Sequence, residues 1–237
     1  MTGSNESNRR VESVASDGED PSTAGGAKPS DCGADETAPE RVDDGGVDWP
    51  VELTGVTESL VTTLGPNDRW NVAPLGLFAG DPVTATTWGA TRTRRNVDRT
   101  GEGYVQFVTD PVTFVDAALS IVETTNPVVD QAHAWAHVEF TRVDSGHDGD
   151  TEWVRWALVP VETTIVSRTV PTLSRGLGAV IEASVAASRL GTDAYDESTC
   201  RRTIARAGDV VERAGSPRER EAFDRLLAHV DEDITLE

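Results

Sequence analysis

Residues 70–78 run Trp-Asn-Val-Ala-Pro-Leu-Gly-Leu-Phe (WNVAPLGLF), a strand-like stretch with Pro74 inside it and Gly76 two places on. A proline gives no hydrogen bond to a sheet ladder, so this strand must be an edge or carry a bulge. The glycine lets another group come close to the backbone. Upstream, Glu58 to Leu64 (ESLVTTL) is Thr-rich and β-branched, and Gly65-Pro66-Asn67-Asp68 is turn chemistry. Downstream, Pro82 to Trp88 predicts a third short strand, Thr91 to Arg99 a helix closed by Gly101, and Tyr104 to Thr109 a fourth strand. Asp110-Pro111 then opens a helix over Val112 to Leu119, with Asp110 as N-cap and proline at the first helical position. Ala132 to Val143 alternates with period two, as does much of Glu152 to Arg168, with Trp153, Arg155, Ala157 and Val159 on one face. A polar turn over Ser145 to Thr151 separates them. Six or seven short strands with few helices predict a closed barrel in preference to a doubly wound sheet.

Beyond Pro171 the apolar period becomes helical. Leu173, Leu177, Val180 and Ile181 form one stripe, Cys200, Ile204, Ala207 and Val211 a second, and Phe223, Leu226, Leu227 and Val230 a third. Ser216-Pro217-Arg218-Glu219 is a capping box with proline at the first helical position. Three amphipathic helices should pack together or against the barrel. Residues 1–48 are polar and acidic, too poor in apolar side chains to offset their ordering entropy. The expected organisation is a disordered acidic tail (1–48), a barrel (49–170) and a C-terminal three-helix segment (171–237).

The formal net charge is −20 over 237 residues. That argues against nucleic-acid binding through a basic face, which needs concentrated Lys and Arg, and against attachment to anionic lipid. Lys28 is the only lysine; every other formal cation is arginine. Many carboxylates with almost no lysine suit solubility in molar salt, where charges are screened over roughly 3 Å, and resemble haloarchaeal usage. No apolar run approaches the ~18 residues of a membrane span. Arg9-Arg10 precedes a polar, acidic stretch in place of an export signal's hydrophobic region. The expected location is the cytoplasm. Cys32 and Cys200 form no CxxC pair, which leaves zinc ribbons, thioredoxin-type motifs and disulfide frameworks unsupported.

Several chemistries lack their motifs. Lys28 sits between Ala and Pro, so there is no phosphate-binding GK[ST] loop. No GxGxxG follows a strand, and neither GxSxG nor HExxH occurs. His133, Trp135, His137 and Glu139 share one strand face. The two histidines stand about 13 Å apart along a strand, too far for one metal ion, so the stripe is read as polar or interface-facing.

Two motifs do converge on one ligand. Thr91-Arg92-Thr93-Arg94-Arg95-Asn96 gathers hydroxyls, an amide and three guanidiniums where a strand runs into a helix, a setting suited to a phosphate. Asn71 to Gly76 is the proline-broken strand, whose unpaired main chain suits the edge of a flat heterocycle. Taken singly, the first reads as a helix cap with solvated arginines and the second as an ordinary edge strand; found together in this order, they suit FMN. Residues 55–120, with TNPV at 125–128, AHAWAHVEF at 132–140 and SRGLGAVIEASVAASRL at 174–190, resemble an archaeal family of FMN-binding split-barrel proteins of undefined activity (domain-of-unknown-function family 447), distant relatives of the flavin reductases.

The resemblance implies a mainly β fold with α, a six-stranded antiparallel FMN-binding split β-barrel (Greek-key-like), in a homodimer with FMN near the interface. It assigns Thr91, Thr93, Arg94 and Asn96 to the phosphate, and Thr62, Thr63, Asn71, Ala73, Pro74 and Leu75 to the ribityl chain and ring. Arg175, Glu182 and Arg189 recur every seven residues on one helix face. An ion-pair ladder is the first reading of that face; the alternative has Arg175 reaching the flavin phosphate or an anionic substrate. The implied function is a flavoprotein exchanging electrons with a small-molecule donor or acceptor. The other readings are an FMN carrier or sensor, or an interaction protein without flavin.

Overall fold

The computed structural model describes residues 47–170, 172–192 and 195–235, with side chains to residue 230. The expected acidic tail, with Arg9-Arg10, Lys28 and Cys32, lies outside the described residues apart from Val47 and Asp48. Seven strands are present: β1 (Val56–Leu64), β2 (Trp70–Phe78), β3 (Val83–Trp88), β4 (Glu102–Phe107), β5 (Val122–Thr124), β6 (Ala134–Asp148) and β7 (Thr151–Ile165). They pair in the order β1-β4-β6-β7-β3-β2-β5, and β1 also pairs with β2. That extra pairing closes six strands into an antiparallel barrel with β5 appended to β2. Closure leaves only short open edges. Every second side chain points inward: Val61, Leu77, Ala85, Val105, Ala136, Val138, Val154 and Leu158 fill one core.

The β6–β7 hairpin is longer than its sequence suggested. The predicted turn over 145–151 contracts to Gly149-Asp150, and both strands run on to it. Gly149, at φ +55°, supplies the left-handed residue that a tight hairpin needs.

The barrel is incomplete at one seam. β2 and β3 are laddered only at Leu77↔Ala85 and Phe78↔Thr84. The far end of the same β2 edge pairs with β5 only at Trp70, Asn71 and Val72. Ala73 to Gly76 therefore keep their β1 neighbours but lack a strand on the other side. Pro74 sits in the middle of this interval, as an open edge requires.

Helix α1 (Arg92–Thr100) plugs a mouth of the barrel. Thr91 caps it by accepting from the Arg94 amide at 3.3 Å, and Gly101 ends it at φ +71°. Val97 joins the barrel core. Helix α2 (Pro111–Leu119) begins at the expected Asp110 cap, where Thr113 N donates to the Asp110 carboxylate at 3.0 Å.

The C-terminal helices are α3 (Arg175–Ala187), α4 (Glu197–Ala214) and α5 (Pro217–Thr235). The α4 stripe is buried as expected: Cys200, Ile204, Ala207 and Val211 all lie in the helical core. Leu173 departs from its predicted stripe. The helix starts two residues later, with Ser174 as N-cap, and Leu173 is fully exposed. Leu227 is also exposed while Phe223 and Leu226 are buried. The capping box forms: Ser216 N donates to Glu219 Oε2 at 2.6 Å and Glu219 N donates to Ser216 Oγ at 3.3 Å. The same carboxylate also accepts from the Ser174 hydroxyl, so one buried glutamate ties together the starts of α3 and α5. Burial opposes its ionisation, but the hydrogen bonds from Ser174 and Ser216 prevail and hold its pKa below the ordinary value. Gly176 is required beside it, because a Cβ there would strike the Glu219 carboxylate. Among the described residues, no helix is long and apolar enough to cross a membrane.

Candidate functional site

A cleft of about 770 Å³ runs between the outer face of the barrel and helices α2 and α3, a volume typical of small-molecule and cofactor sites. Its position follows from strand alternation. Inward Leu75 and Leu77 put Pro74, Gly76 and Phe78 of β2 on the outside. Across β1, Glu58 stands opposite Gly76. On the far side of the seam, Thr86 and Trp88 of β3 face outward opposite Arg155 and Trp153 of β7. These side chains form the floor. Phe114 and Ala118 of α2, with Ser184 and Val185 of α3 and Ser188 and Arg189 just past its end, form the opposing wall. Thr91, at the start of α1, also lines the cleft.

The floor thus offers two indoles, an open stretch of main chain at the seam, and a bare glycine. The ideal Cβ of Gly76 would sit 3.4 Å from Val56 Cγ1 and 3.8 Å from the nearer Glu58 carboxylate oxygen, so the glycine leaves space above the seam. Charge is placed at several points around it. Burial, and then the charge of Glu182, raises the Glu58 pKa. The Arg155 guanidinium lies 5.7 Å from the Trp153 ring centre, and that of Arg189 lies 4.6 Å from Tyr195.

The residues singled out in the sequence divide into three groups. Pro74, Leu75 and Thr91 line the cleft. Thr63, Asn71, Thr93 and Asn96 are buried together beneath α1, away from it. Asn96 Nδ2 donates to Thr63 Oγ1 at 3.1 Å, and Asn71 Nδ2 donates to Thr93 Oγ1 at 3.4 Å. Ala73 projects into the barrel opposite Val61, so only its main chain reaches the open edge. Thr62 faces the outside of β1 but is covered: its hydroxyl donates to Pro127 O and accepts from Gln106 Nε2 at 3.1 Å.

Arg94 is bound to Glu152 at 2.7 Å, with its side chain 11% exposed. The hydrogen bond to Glu152 raises the Arg94 pKa and lowers that of Glu152. Arg175 is exposed at the start of α3 and does not line the cleft. The expected ladder of Arg175, Glu182 and Arg189 does not form among the described residues of one chain. The charge of Glu182 instead acts on Glu58, raising its pKa, and Arg189 stacks on Tyr195. His133 and His137 serve separate partners: His133 contacts Thr109 and Ser167 at 2.8 and 2.6 Å, and His137 contacts Glu102 at 3.0 Å.

Sequence reasoning missed Glu58, Trp88, Trp153, Arg155 and the wall residues of α2 and α3. Trp153 and Arg155 were legible as one strand face, but their pairing with Trp88 and Thr86 depends on a register that no local pattern encodes.

The N-terminal domain model of the DUF447 family, a protein family of unknown function, matches residues 57–167, and the family's second model matches residues 174–228. The crystal structure of an FMN-bound DUF447 protein from Methanosarcina mazei superposes with a TM-score of 0.65 at 21% identity, covering 75% of this chain and 96% of the other. Two remote neighbours are an FMN-binding protein from Thermus thermophilus (TM-score 0.34, 13% identity, 51% of this chain and 79% of the other) and the styrene monooxygenase flavin reductase of Pseudomonas putida S12 (TM-score 0.32, 12% identity, 47% and 79%). The fold is the FMN-binding split barrel, and the chain belongs to the DUF447 family.

Proposed function

We propose that this protein binds FMN in the cleft between the barrel and α3 and uses it as a flavin-dependent redox protein. The observation that carries this reading is the seam: Ala73 to Gly76 have no strand neighbour on one side, beside Trp88 and Trp153, within a cleft that also reaches Thr91. Aromatic walls suit an isoalloxazine, and open backbone donors and acceptors suit its pyrimidine edge. The first turn of α1 has amides without intrahelical partners and suits the phosphate, with the Thr91 hydroxyl beside it. Thr63, Asn71, Thr93 and Asn96 would act from beneath, fixing α1 and β2 at their separation. Bound FMN would supply the electron-transfer chemistry, and the chain would orient it and exclude water.

The FMN-bound family member from Methanosarcina mazei supports the cofactor assignment. We further propose a homodimer with the flavin near its interface. Val159, Val161, Ile165, Val166 and Val170, which run along and beyond β7, are exposed apolar side chains that a second copy would cover. The composition supports a salt-rich cytoplasmic setting.

The test is an absorbance spectrum of protein incubated with FMN in molar salt and then desalted into the same salt. Retained flavin bands are expected, and NAD(P)H or another small donor should bleach them. A colourless protein would overturn the cofactor assignment. Stable yellow protein that no donor reduces would overturn the redox role.

A further inference from the structure

The charged side chains lining the cleft are Glu58, Asp148, Arg155 and Arg189. Two cations against two anions is an unusual balance in a chain with 41 acidic and 21 basic residues. Among the described residues outside the cleft, six arginines, such as Arg94 and Arg218, are paired with a carboxylate, and others, such as Arg69 and Arg95, are not. Among the described residues, Arg155 and Arg189 have no such partner. Each lies over an aromatic ring instead, Arg155 on Trp153 and Arg189 on Tyr195. Stacking holds a guanidinium in place while leaving its N–H edge available, the geometry that receives a planar carboxylate. The two come from opposite sides, β7 on the floor and the segment just past α3 on the wall. The lining mixes apolar groups, Val185, Phe78 and the two indoles, with the hydroxyls of Thr86 and Ser188.

We propose that Arg155 and Arg189 form a receptor for the carboxylate of a small organic acid with an apolar body, which enters the cleft beside the flavin as substrate. The inference rests on the flavin reading for its role as substrate, but not for the anion site itself. A carboxylate fits better than a bare inorganic anion, because the surrounding apolar surface would otherwise stay wet. Glu58, on the opposite side of the seam, disfavours a second negative group on the ligand.

The experiment uses benzoate and its neutral isostere benzamide as probes, read by tryptophan fluorescence, since Trp88 and Trp153 line the cleft. The full-length protein is titrated with each probe, with and without FMN. Benzoate is expected to bind at least about tenfold more tightly than benzamide. Arg155→Gln and Arg189→Gln should each remove most of that preference, read as the ratio of benzoate to benzamide affinity in flavin-free protein. Equal binding of the two probes by the wild type, or an unchanged preference in both variants, would overturn the proposal. So would variants that bind FMN less tightly but riboflavin as before, because the pair would then hold the flavin phosphate. If the wild type takes up no FMN, the flavin reading fails on its own, and the benzoate preference in flavin-free protein still decides for or against the arginine pair.

Discussion

The side-chain amide of Asn96 donates to both the carbonyl oxygen and the hydroxyl of Thr63, at 3.3 and 3.1 Å. Both residues are fully or nearly buried, so this pair fastens α1 into the barrel mouth. Asn96→Ala should therefore destabilise the fold by about 1–3 kcal/mol, the cost of leaving buried polar groups unpaired. Thr91→Ala should also cost about 1 kcal/mol as the α1 cap is lost, but unlike Asn96→Ala it should weaken FMN more than riboflavin because it removes a hydroxyl at the proposed phosphate position. Denaturant titration and paired FMN and riboflavin titrations would separate the two. A selective loss of FMN in Asn96→Ala with unchanged stability would contradict this division.

Gly76 offers a steric test of the cleft. An added methyl would make only ordinary contacts, so Gly76→Ala should fold and bind ligand nearly as the wild type does. Gly76→Phe would put a ring into the space above the seam. It is expected to keep the melting temperature within a few degrees of Gly76→Ala and to abolish flavin retention. If Gly76→Phe still retains FMN, the flavin is elsewhere.

Glu58 should make stability fall as pH rises. Burial and the charge of Glu182 raise its folded pKa, so its protonated form is the one that the fold favours. The favourable contribution is complete below the unfolded value of about 4.3 and is lost as pH rises through the higher folded value. Glu58→Gln removes this penalty, so its melting temperature should exceed that of the wild type at pH 7 and match it near pH 4. Burial is the larger cause, so the difference should survive molar salt, which screens only the Glu182 contribution.

Asp110 behaves in the opposite sense. Its carboxylate accepts from Arg218 at 2.7 and 2.9 Å and also caps α2 through Thr113, and these bonds lower its pKa to about 2. The resulting stability is present above the unfolded carboxylate range and is lost as pH falls toward 2. Asp110→Asn keeps a competent N-cap but removes the charge facing α5. Its melting temperature should fall below that of the wild type from pH 5 to 7, with the gap narrowing below about pH 4.

Much of the fold was legible because its elements announce themselves locally. Asp110-Pro111 and Ser216-Pro217-Arg218-Glu219 marked helix starts, Gly101 marked a helix end, and Pro74 marked the open edge. Of the residues singled out in the sequence, Pro74, Leu75 and Thr91 line the candidate cleft, and each lies at or beside such a signal. Thr93 and Asn96 looked like ligand residues because of their chemistry. Yet they share the inward stripe of α1 with Val97 at i, i+3 and i+4 spacing, a signal that placed them in the barrel mouth. The rest of the cleft comes from β1, β3, β7, α2 and the α3 region, elements spread along the sequence that meet through barrel closure and helix docking. Non-local pairing of that kind leaves no periodic trace in the residues themselves.

Helix α2 has two loyalties. Phe114 and Ala117 pack onto the barrel's outer side with Leu60 and Val72, while Val112 and Val115 belong to the core formed by α3, α4 and α5. A nine-residue helix encoded in the barrel half thus supplies part of the helical half's interior. Cutting the chain after Ile165 would strip Val112 and Val115 of their cover and remove the cleft's far wall in the same stroke. The shared helix couples the two halves, and the cleft exists only while they remain joined.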